Sequence, residues 1–199
     1  MLKIFLLRHG ETAYNADNNR YCGRTDIPLT DKGLGQAQEV KRHLEGIEFA
    51  AVYSSPLQRA ANTACLASGR DPIKDERLIE ADFGNWEGKT KEEFIAENES
   101  LWVNWMSDPA VYRAGGTGET GTEIVERVDD FFRSIQQQHT VGNIMVVAHN
   151  GINRLYLAYR LGMPLRNYRQ LVQQNSSITC FTLDGQGVLT LELLNSKLR

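Results

Sequence analysis

The chain has 199 residues and a net charge of −3, with 22 basic and 25 acidic side chains. Apolar residues make up 41% and charged residues 24%, a composition typical of a globular protein, and the length suits a single domain over residues 1–199. The near-neutral charge argues against a protein that coats nucleic acid, and no apolar run approaches the ~20 residues that a membrane span needs. We therefore expect neither a nucleic-acid nor a membrane partner.

The predicted elements begin with a buried strand over residues 3–7. Thr30 is placed to cap a helix that ends at about residue 44, and a second strand follows over residues 49–53. Ser55 as N-cap and Pro56 as first helical residue predict the start of a helix that runs to about residue 67.

Capping boxes mark the next two predicted helices, after a short third strand over residues 71–74. Thr90 with Glu93 opens a helical region that Asp108-Pro109 ends, and Thr120 with Glu123 opens a helix to about residue 135. The glycine-rich residues 115–119 between them are predicted to form a loop.

The last third of the chain predicts a strand, a helix and a hairpin. The strand covers residues 143–148, the helix about 151–161, and strands over 177–183 and 188–194 flank Asp184-Gly-Gln-Gly. Strands and helices alternate along most of the chain, which predicts an α/β fold. We expect a three-layer sandwich in which a mostly parallel central sheet carries helices on both faces.

Two features predict a cytoplasmic protein. Cys22, Cys65 and Cys180 are odd in number and form no C-x-x-C pair, which is typical of reduced thiols. The apolar start of the chain is too short for a signal peptide, and no small-residue cleavage site follows it.

Arginine outnumbers lysine by 15 to 7. The planar guanidinium group binds phosphate or carboxylate through two parallel hydrogen bonds, whereas the ammonium group of lysine is a point charge. The bias fits either an anionic ligand or a compositional preference with no functional meaning.

Arg8, His9 and Gly10 follow the first predicted strand directly. In open α/β sheets, ligands bind just beyond the carboxyl ends of the strands. A histidine there can act as a nucleophile if one ring nitrogen is free and the other is held by a hydrogen bond. The adjacent arginine would hold an anion against that ring, although a purely structural Arg-His pair is the alternative.

His149 follows the strand over residues 143–148 in the same way, before Asn150 and Gly151. The helix after it would point free N–H groups and its positive dipole end toward the same crevice. The alternative is a histidine whose hydrogen bonds are satisfied by the backbone.

Two further segments offer an arginine and an acid. Arg59 lies one turn into the helix after the second strand, where a surface arginine is the alternative. Glu80 lies in a turn-rich segment beside Phe83 and Trp86, and an aromatic wall raises the pKa of a carboxyl group so that it donates a proton near neutral pH. For this segment the alternative is a solvated acidic loop.

Together these side chains predict a phosphomonoesterase. Two arginines and helix N-termini call for a ligand with at least two negative charges. Neutral His9 would attack phosphorus in line, while Arg8, Arg59 and a protonated His149 hold the phosphoryl oxygens. Glu80 would protonate the leaving alkoxide and then act as the base when water hydrolyses the phosphohistidine.

The order of these motifs resembles the histidine phosphatase superfamily, also called phosphoglycerate-mutase-like, over nearly the whole chain. The similar motifs are Leu7-Arg-His-Gly-Glu-Thr12, Gly23-Arg-Thr-Asp-Ile-Pro-Leu-Thr30, Ser54-Ser-Pro-Leu-Gln-Arg59-Ala, Glu80 with Phe83-Gly84, and Ala148-His149 with Gly151. The segment after Glu80 and the chain length favour the phosphatase-type branch that includes alpha-ribazole phosphatases and broad-specificity phosphatases.

The resemblance implies a metal-independent phosphatase of small phosphorylated metabolites, with no cofactor. His9 is expected to carry the phosphoryl group and Glu80 to be the general acid and base. Phosphate or substrate contacts are expected from Arg8, Asn15, Thr25, Arg59, His149 and Asn150.

Several alternatives stay open. Phosphoglycerate mutase activity would use the same site, and a non-catalytic sensor of phosphorylated ligands would use the same fold. A metal-dependent hydrolase would use His9, His149, Glu80 and Asp82 as ligands. The oligomeric state is open, with a homodimer as one alternative. Near the site, Arg20, Tyr21 and Arg24 are candidates to bind a carboxylate or a second phosphate of the substrate.

Overall fold

The computed structural model describes residues 1–197. Its strands are β1 (Leu2–Arg8), β2 (Phe49–Ser54), β3 (Ile73–Lys74), β4 (Gly142–Ala148), β5 (Ile178–Leu183) and β6 (Leu189–Ser196). Its α-helices are α1 (Ala13–Ala16), α2 (Asp31–His43), α3 (Gln58–Ser68), α4 (Lys91–Ser107), α5 (Gly121–Gln138) and α6 (Asn150–Arg160), and a 3₁₀ segment, Leu165–Gln170, packs against α6.

The strands form one six-stranded sheet in the order β3-β2-β4-β1-β5-β6. The first four of these strands are parallel, while β5 runs antiparallel to β1 and β6 antiparallel to β5. β1 and β4 lie side by side, with Arg8 paired to Ala148 at their last position. His9 and His149 therefore emerge next to each other at the same edge of the sheet.

Helices cover both faces of this sheet. On one face α5 and α6 pack together, and Phe132 stacks on Tyr156 with ring centroids 4.5 Å apart. On the other face α2 and α3 contribute small and branched side chains such as Val40 and Ala64. The predicted three-layer α/β architecture is confirmed. Within residues 1–197, none of the helices combines the length and the apolar character of a membrane span.

The start of α3 differs from the prediction. Ser55 and Pro56 are not helical, and α3 begins at Gln58. The amide N–H of Gln58 donates to Oδ1 of Asp26 at 2.8 Å, so a side chain distant in sequence caps the helix. Ser55 Oγ instead accepts from the amide N–H of Leu57 at 3.3 Å, which fixes the connection between β2 and α3.

Candidate active site

His9 follows β1 and is almost fully buried. Its Nδ1 lies 2.7 Å from the carbonyl oxygen of Gly10. Because a carbonyl oxygen can only accept, Nδ1 carries the proton and Nε2 keeps its lone pair. Burial lowers the pKa of His9 well below 6.5, and the charges of Arg59 and Arg8 lower it further. The ring is therefore neutral, as a nucleophile requires.

His149 follows β4 and is fully buried. Its ring centroid lies 5.2 Å from that of His9, and neither of its nitrogens has a hydrogen-bond partner within residues 1–197. Burial lowers its pKa well below 6.5, and the charge of Arg59 adds to this effect. The His149 ring is therefore expected to be neutral when no ligand is bound, and a protonated His149 that holds phosphoryl oxygens stays a prediction for the bound state.

Both imidazoles are expected to titrate below the usual histidine range when no ligand is bound. Between their lowered pKa values and about 6.5, the unfolded chain binds more protons than the folded one, so stability rises with pH across that interval. Ring ¹H–¹⁵N NMR spectra recorded as a function of pH measure both midpoints. A midpoint at or above 6.5 for either ring would contradict the neutral site.

The two predicted arginines are held by backbone carbonyl groups. Arg59 is fully buried and donates from Nη1 to the carbonyl oxygen of Thr25 and from Nη2 to that of Gly23, each at 2.7 Å. Arg8 donates from Nη1 to the carbonyl oxygen of Gln173 at 3.0 Å, and burial is the main cause that lowers its pKa to about 10. Each arginine also keeps a buried Nε without a partner among the described residues, so each can still donate to an anion.

Thr25 contacts Arg59 through its backbone. Its amide N–H donates to Oε1 of Glu87 at 3.3 Å, and Glu87 also accepts from the amide N–H of Gly23. Gly23 lies against the acid-bearing segment, because a Cβ there would be 2.4 Å from the carbonyl oxygen of Ala81. In this structure Thr25 therefore positions Arg59, and its role as a phosphate contact stays a prediction.

Glu80 is buried beside the start of α6. Its Oε2 accepts from the amide N–H of Gly151 at 3.0 Å, and its Oε1 accepts from the amides of Ile152 and Ala81 at 3.1 and 2.9 Å. The expectation that this helix directs free N–H groups at the ligand is wrong for Gly151 and Ile152, because Glu80 takes both. The same bonds place the acid next to the helix that begins at His149.

The aromatic wall predicted for Glu80 is formed only in part. Phe83 lines the cavity at Glu80, whereas Trp86 is fully buried and stacks on Phe94 with ring centroids 4.7 Å apart. Asp82 lies in the turn, where its Oδ1 accepts from the amide N–H of Gly84 at 2.9 Å. Within residues 1–197, no group of three or more His, Cys, Asp or Glu side chains is arranged to hold a metal ion.

The glycine-rich loop packs against the segment that carries Glu80. A Cβ at Gly118 would lie 2.1 Å from the carbonyl oxygen of Asp82. Gly118→Ala is therefore expected to destabilise the protein by about 1–3 kcal/mol, measured by urea unfolding. Gly185→Ala is the matched control, since a Cβ there meets no atom within 4 Å. If the two variants are equally stable, the loop accommodates the added Cβ without a loss of stability.

Asn15 and Asn150 are the remaining residues that were predicted to contact phosphate or substrate. Oδ1 of Asn15 accepts from the amide N–H of Thr12 and from Nδ2 of Asn175, so its own NH₂ group is left to donate to a ligand. Asn175 also donates to the carbonyl oxygen of His9 at 3.1 Å. Asn150 has a buried Oδ1 with no partner among residues 1–197, and its contact with substrate stays a prediction.

These elements surround a cavity of about 350 Å³. Arg59 and His149 are fully buried and do not line it, but His149 packs against His9, and Arg59 donates to the carbonyl oxygen of the lining residue Cys22 at 3.4 Å. Arg154 and Arg169, which no sequence pattern indicated, also line the cavity. The lining residues among those predicted for the site are Arg8, His9, Asn15, Arg20, Tyr21, Glu80 and Asn150.

Arg20 and Arg24, in the loop after α1, offer less free positive charge to the cavity than the sequence predicted. Arg20 lines the cavity, but its guanidinium group is paired with Asp17 at 2.5 Å and with Glu93 at 2.7 Å. Arg24 is exposed and lies 3.4 Å from Glu119. Arg20 is thus neutralised by carboxylates of the protein itself, whereas Arg24 shares the carboxylate of Glu119 with Arg127.

The profile of the histidine phosphatase superfamily (branch 1) matches residues 4–197. The chain belongs to the histidine phosphatase superfamily. This histidine phosphatase is 32% identical to the adenosylcobalamin/alpha-ribazole phosphatase of Escherichia coli K12, over 98% of this chain and 97% of that protein. It is 29% identical to phosphoserine phosphatase 1 of Hydrogenobacter thermophilus, over 97% of this chain and 92% of that protein.

A solved structure agrees with these relatives. A phosphoserine phosphatase variant from Entamoeba histolytica, in complex with phosphoserine, superposes on this histidine phosphatase with a TM-score of 0.89. The two chains are 30% identical, and 98% of each is covered. The protein is therefore an enzyme of the phosphoric monoester hydrolase class.

Proposed function

We propose that this histidine phosphatase hydrolyses small phosphorylated metabolites through a phosphohistidine on His9, without a metal or an organic cofactor. The observation that carries the proposal is the pair of buried imidazoles whose ring centroids lie 5.2 Å apart, with pKa values that burial, Arg59 and Arg8 all lower. Positive charge beside an unprotonated nucleophile suits a dianionic ligand. Such a site supports attack by the imidazole nitrogen on phosphorus.

In the first step Nε2 of His9 attacks phosphorus opposite the ester oxygen. The P–N bond forms as the P–O bond breaks, and Glu80 gives its proton to the departing alkoxide. The carbonyl oxygen of Gly10 holds the Nδ1 proton and so stabilises the positive charge that the ring acquires. Arg8 and Arg59 hold the phosphoryl oxygens as their charge redistributes.

In the second step a water molecule attacks the phosphohistidine. Ionised Glu80 takes a proton from that water, the P–N bond breaks, and His9 returns to its neutral form with Nε2 free. Inorganic phosphate leaves, and Glu80 is again protonated for the next turnover. Glu80 thus donates a proton in the first half-reaction and accepts one in the second.

The cavity and the relatives support a small substrate. A space of about 350 Å³ accommodates a metabolite, and the relatives named above act on phosphoserine and on alpha-ribazole phosphate. The three cysteines are free thiols, as a reducing compartment keeps them, and a cytoplasmic location is part of the proposal.

A phosphate-release screen tests the proposal. Purified enzyme is given a panel of phosphorylated metabolites in excess EDTA, and labelled substrate is used to trap the intermediate. We expect release of inorganic phosphate together with an acid-labile, base-stable phosphoprotein. Loss of activity in EDTA would indicate the metal-dependent alternative. Isomerisation of phosphoglycerate without phosphate release would indicate a mutase, and no turnover of any compound would indicate a sensor.

A further inference from the structure

Two arginines on the cavity wall have no role in the proposed mechanism. Arg154 lies on α6, one helical turn after Asn150, and its Nε donates to the carbonyl oxygen of Asn150 at 3.2 Å. Arg169 lies in the 3₁₀ segment, and its Nη1 donates to the hydroxyl groups of Tyr21 and Tyr168 at 3.2 and 3.3 Å. Each guanidinium group therefore keeps further N–H donors.

Both guanidinium groups lie close to the ring of Tyr168, and that of Arg169 also lies 5.0 Å from the ring centroid of Trp102. The Cζ atom of Arg154 lies 5.1 Å from the ring centroid of Tyr168, and that of Arg169 lies 5.8 Å from the same centroid. Burial lowers the pKa of Arg154 and the nearby charge of Arg169 lowers it as well, while Tyr168 and the more distant Glu80 act in the opposite direction. The fold thus holds two like charges together at the wall of one cavity.

Within residues 1–197, neither arginine has a carboxylate within 4.0 Å. Arg20 on the same wall is paired with two acids, and Arg127 elsewhere is paired with Glu119. Partly buried like charges oppose each other unless an anion compensates them. A ligand in this cavity is placed to supply that anion.

We propose that Arg154 and Arg169 bind a second anionic group of the substrate, so that the enzyme prefers compact phosphomonoesters that also carry a carboxylate or a second phosphate. The inference rests on the proposed function, since it assigns the scissile phosphate to the histidine pair. Arg154 Nε lies 3.2 Å from the carbonyl oxygen of Asn150, the residue that follows His149, and His9 lines the same cavity as both arginines. A compact substrate can therefore contact the histidines and the two arginines at the same time.

Competition against p-nitrophenyl phosphate tests the proposal with matched compounds. sn-Glycerol 3-phosphate carries a terminal hydroxymethyl group where 3-phosphoglycerate carries a carboxylate, and glycerol 1,3-bisphosphate carries a second phosphate. We expect one of the two doubly anionic compounds to inhibit with a Ki roughly 10- to 100-fold below that of sn-glycerol 3-phosphate. Which of the two binds more tightly identifies the second anion.

Substitutions of the two arginines test whether they cause the preference for a doubly anionic compound. Arg154→Gln and Arg169→Gln are expected to raise the Ki of the preferred compound roughly 10-fold or more, and that of sn-glycerol 3-phosphate less than about 3-fold. Arg166→Gln removes the same charge from an exposed position in the same segment, and we expect it to leave the ratio unchanged. A purely structural role of the arginines would raise all the Ki values alike and would overturn the proposal.

Measurements on the wild-type enzyme distinguish a failure of the second anion site from a failure of the proposed function. Equal Ki values for all three compounds, with p-nitrophenyl phosphate still hydrolysed through a phosphohistidine, would overturn the second anion site alone. Absence of hydrolysis and of the phosphoprotein would overturn the proposed function and this inference with it.

Discussion

Replacement of His9 by alanine is expected to lower kcat/KM for phosphomonoesters by roughly 10⁴-fold or more, and to abolish the acid-labile phosphoprotein. The reason is that His9 combines a free Nε2, a proton on Nδ1 fixed by Gly10 and a pKa lowered by burial and by two arginines. Rates are measured with p-nitrophenyl phosphate and an alkyl phosphate, and the label with a radioactive phosphodonor.

His43→Ala is the matched control for this variant. His43 is half-buried at the end of α2 and does not line the cavity, so the substitution removes an imidazole outside the site. We expect unchanged rates and unchanged labelling. A phosphoprotein that persists in His9→Ala would assign the nucleophile to another side chain, and the neutral ring of His149 would be the next to test.

Glu80→Gln is expected to separate substrates by their leaving groups. An alkoxide needs a proton to depart, so kcat/KM for an alkyl phosphate should fall roughly 10²–10⁴-fold. A nitrophenolate leaves without a proton, so kcat/KM for p-nitrophenyl phosphate should fall far less. Steady-state kinetics on the two esters under identical conditions give the two ratios.

A structural effect must be distinguished from the loss of the acid, because Glu80 also accepts three backbone N–H groups. Glu87→Gln is the matched control. Its carboxylate likewise accepts from the backbone, at Gly23 and Thr25, in the loop that holds Arg59. We expect Glu87→Gln to affect both esters equally. Equal losses for Glu80→Gln as well would remove Glu80 from the role of proton donor.

The paired histidines were predictable from sequence because one local signal placed each of them. Short apolar runs end at Arg8 and at Ala148, and the carboxyl ends of parallel strands lie at one edge of a sheet. The sheet order, which makes β1 and β4 neighbours, was not predictable, since it depends on contacts between segments far apart in the chain. Their adjacency in the structure brings the two rings together.

Features set by distant partners were predicted wrongly or missed. The start of α3 depends on Asp26, whose carboxylate reaches the amide of Gln58 from another loop. The charge state of His149 depends on burial and on Arg59, which the flanking sequence does not report. Arg154 and Arg169 resemble surface arginines in sequence, and only the packing of both against Tyr168 distinguishes them.

The bonds from Glu80 to the first turn of α6 have a consequence for engineering this enzyme. Although 71 residues separate Glu80 from Gly151, the hydrogen bond between them joins the proposed proton donor to the helix whose N-cap is His149. Substitutions at positions 80 and 149 will therefore not combine additively, and a double-mutant cycle between them should show strong coupling. Redesign of leaving-group preference must treat the two positions jointly.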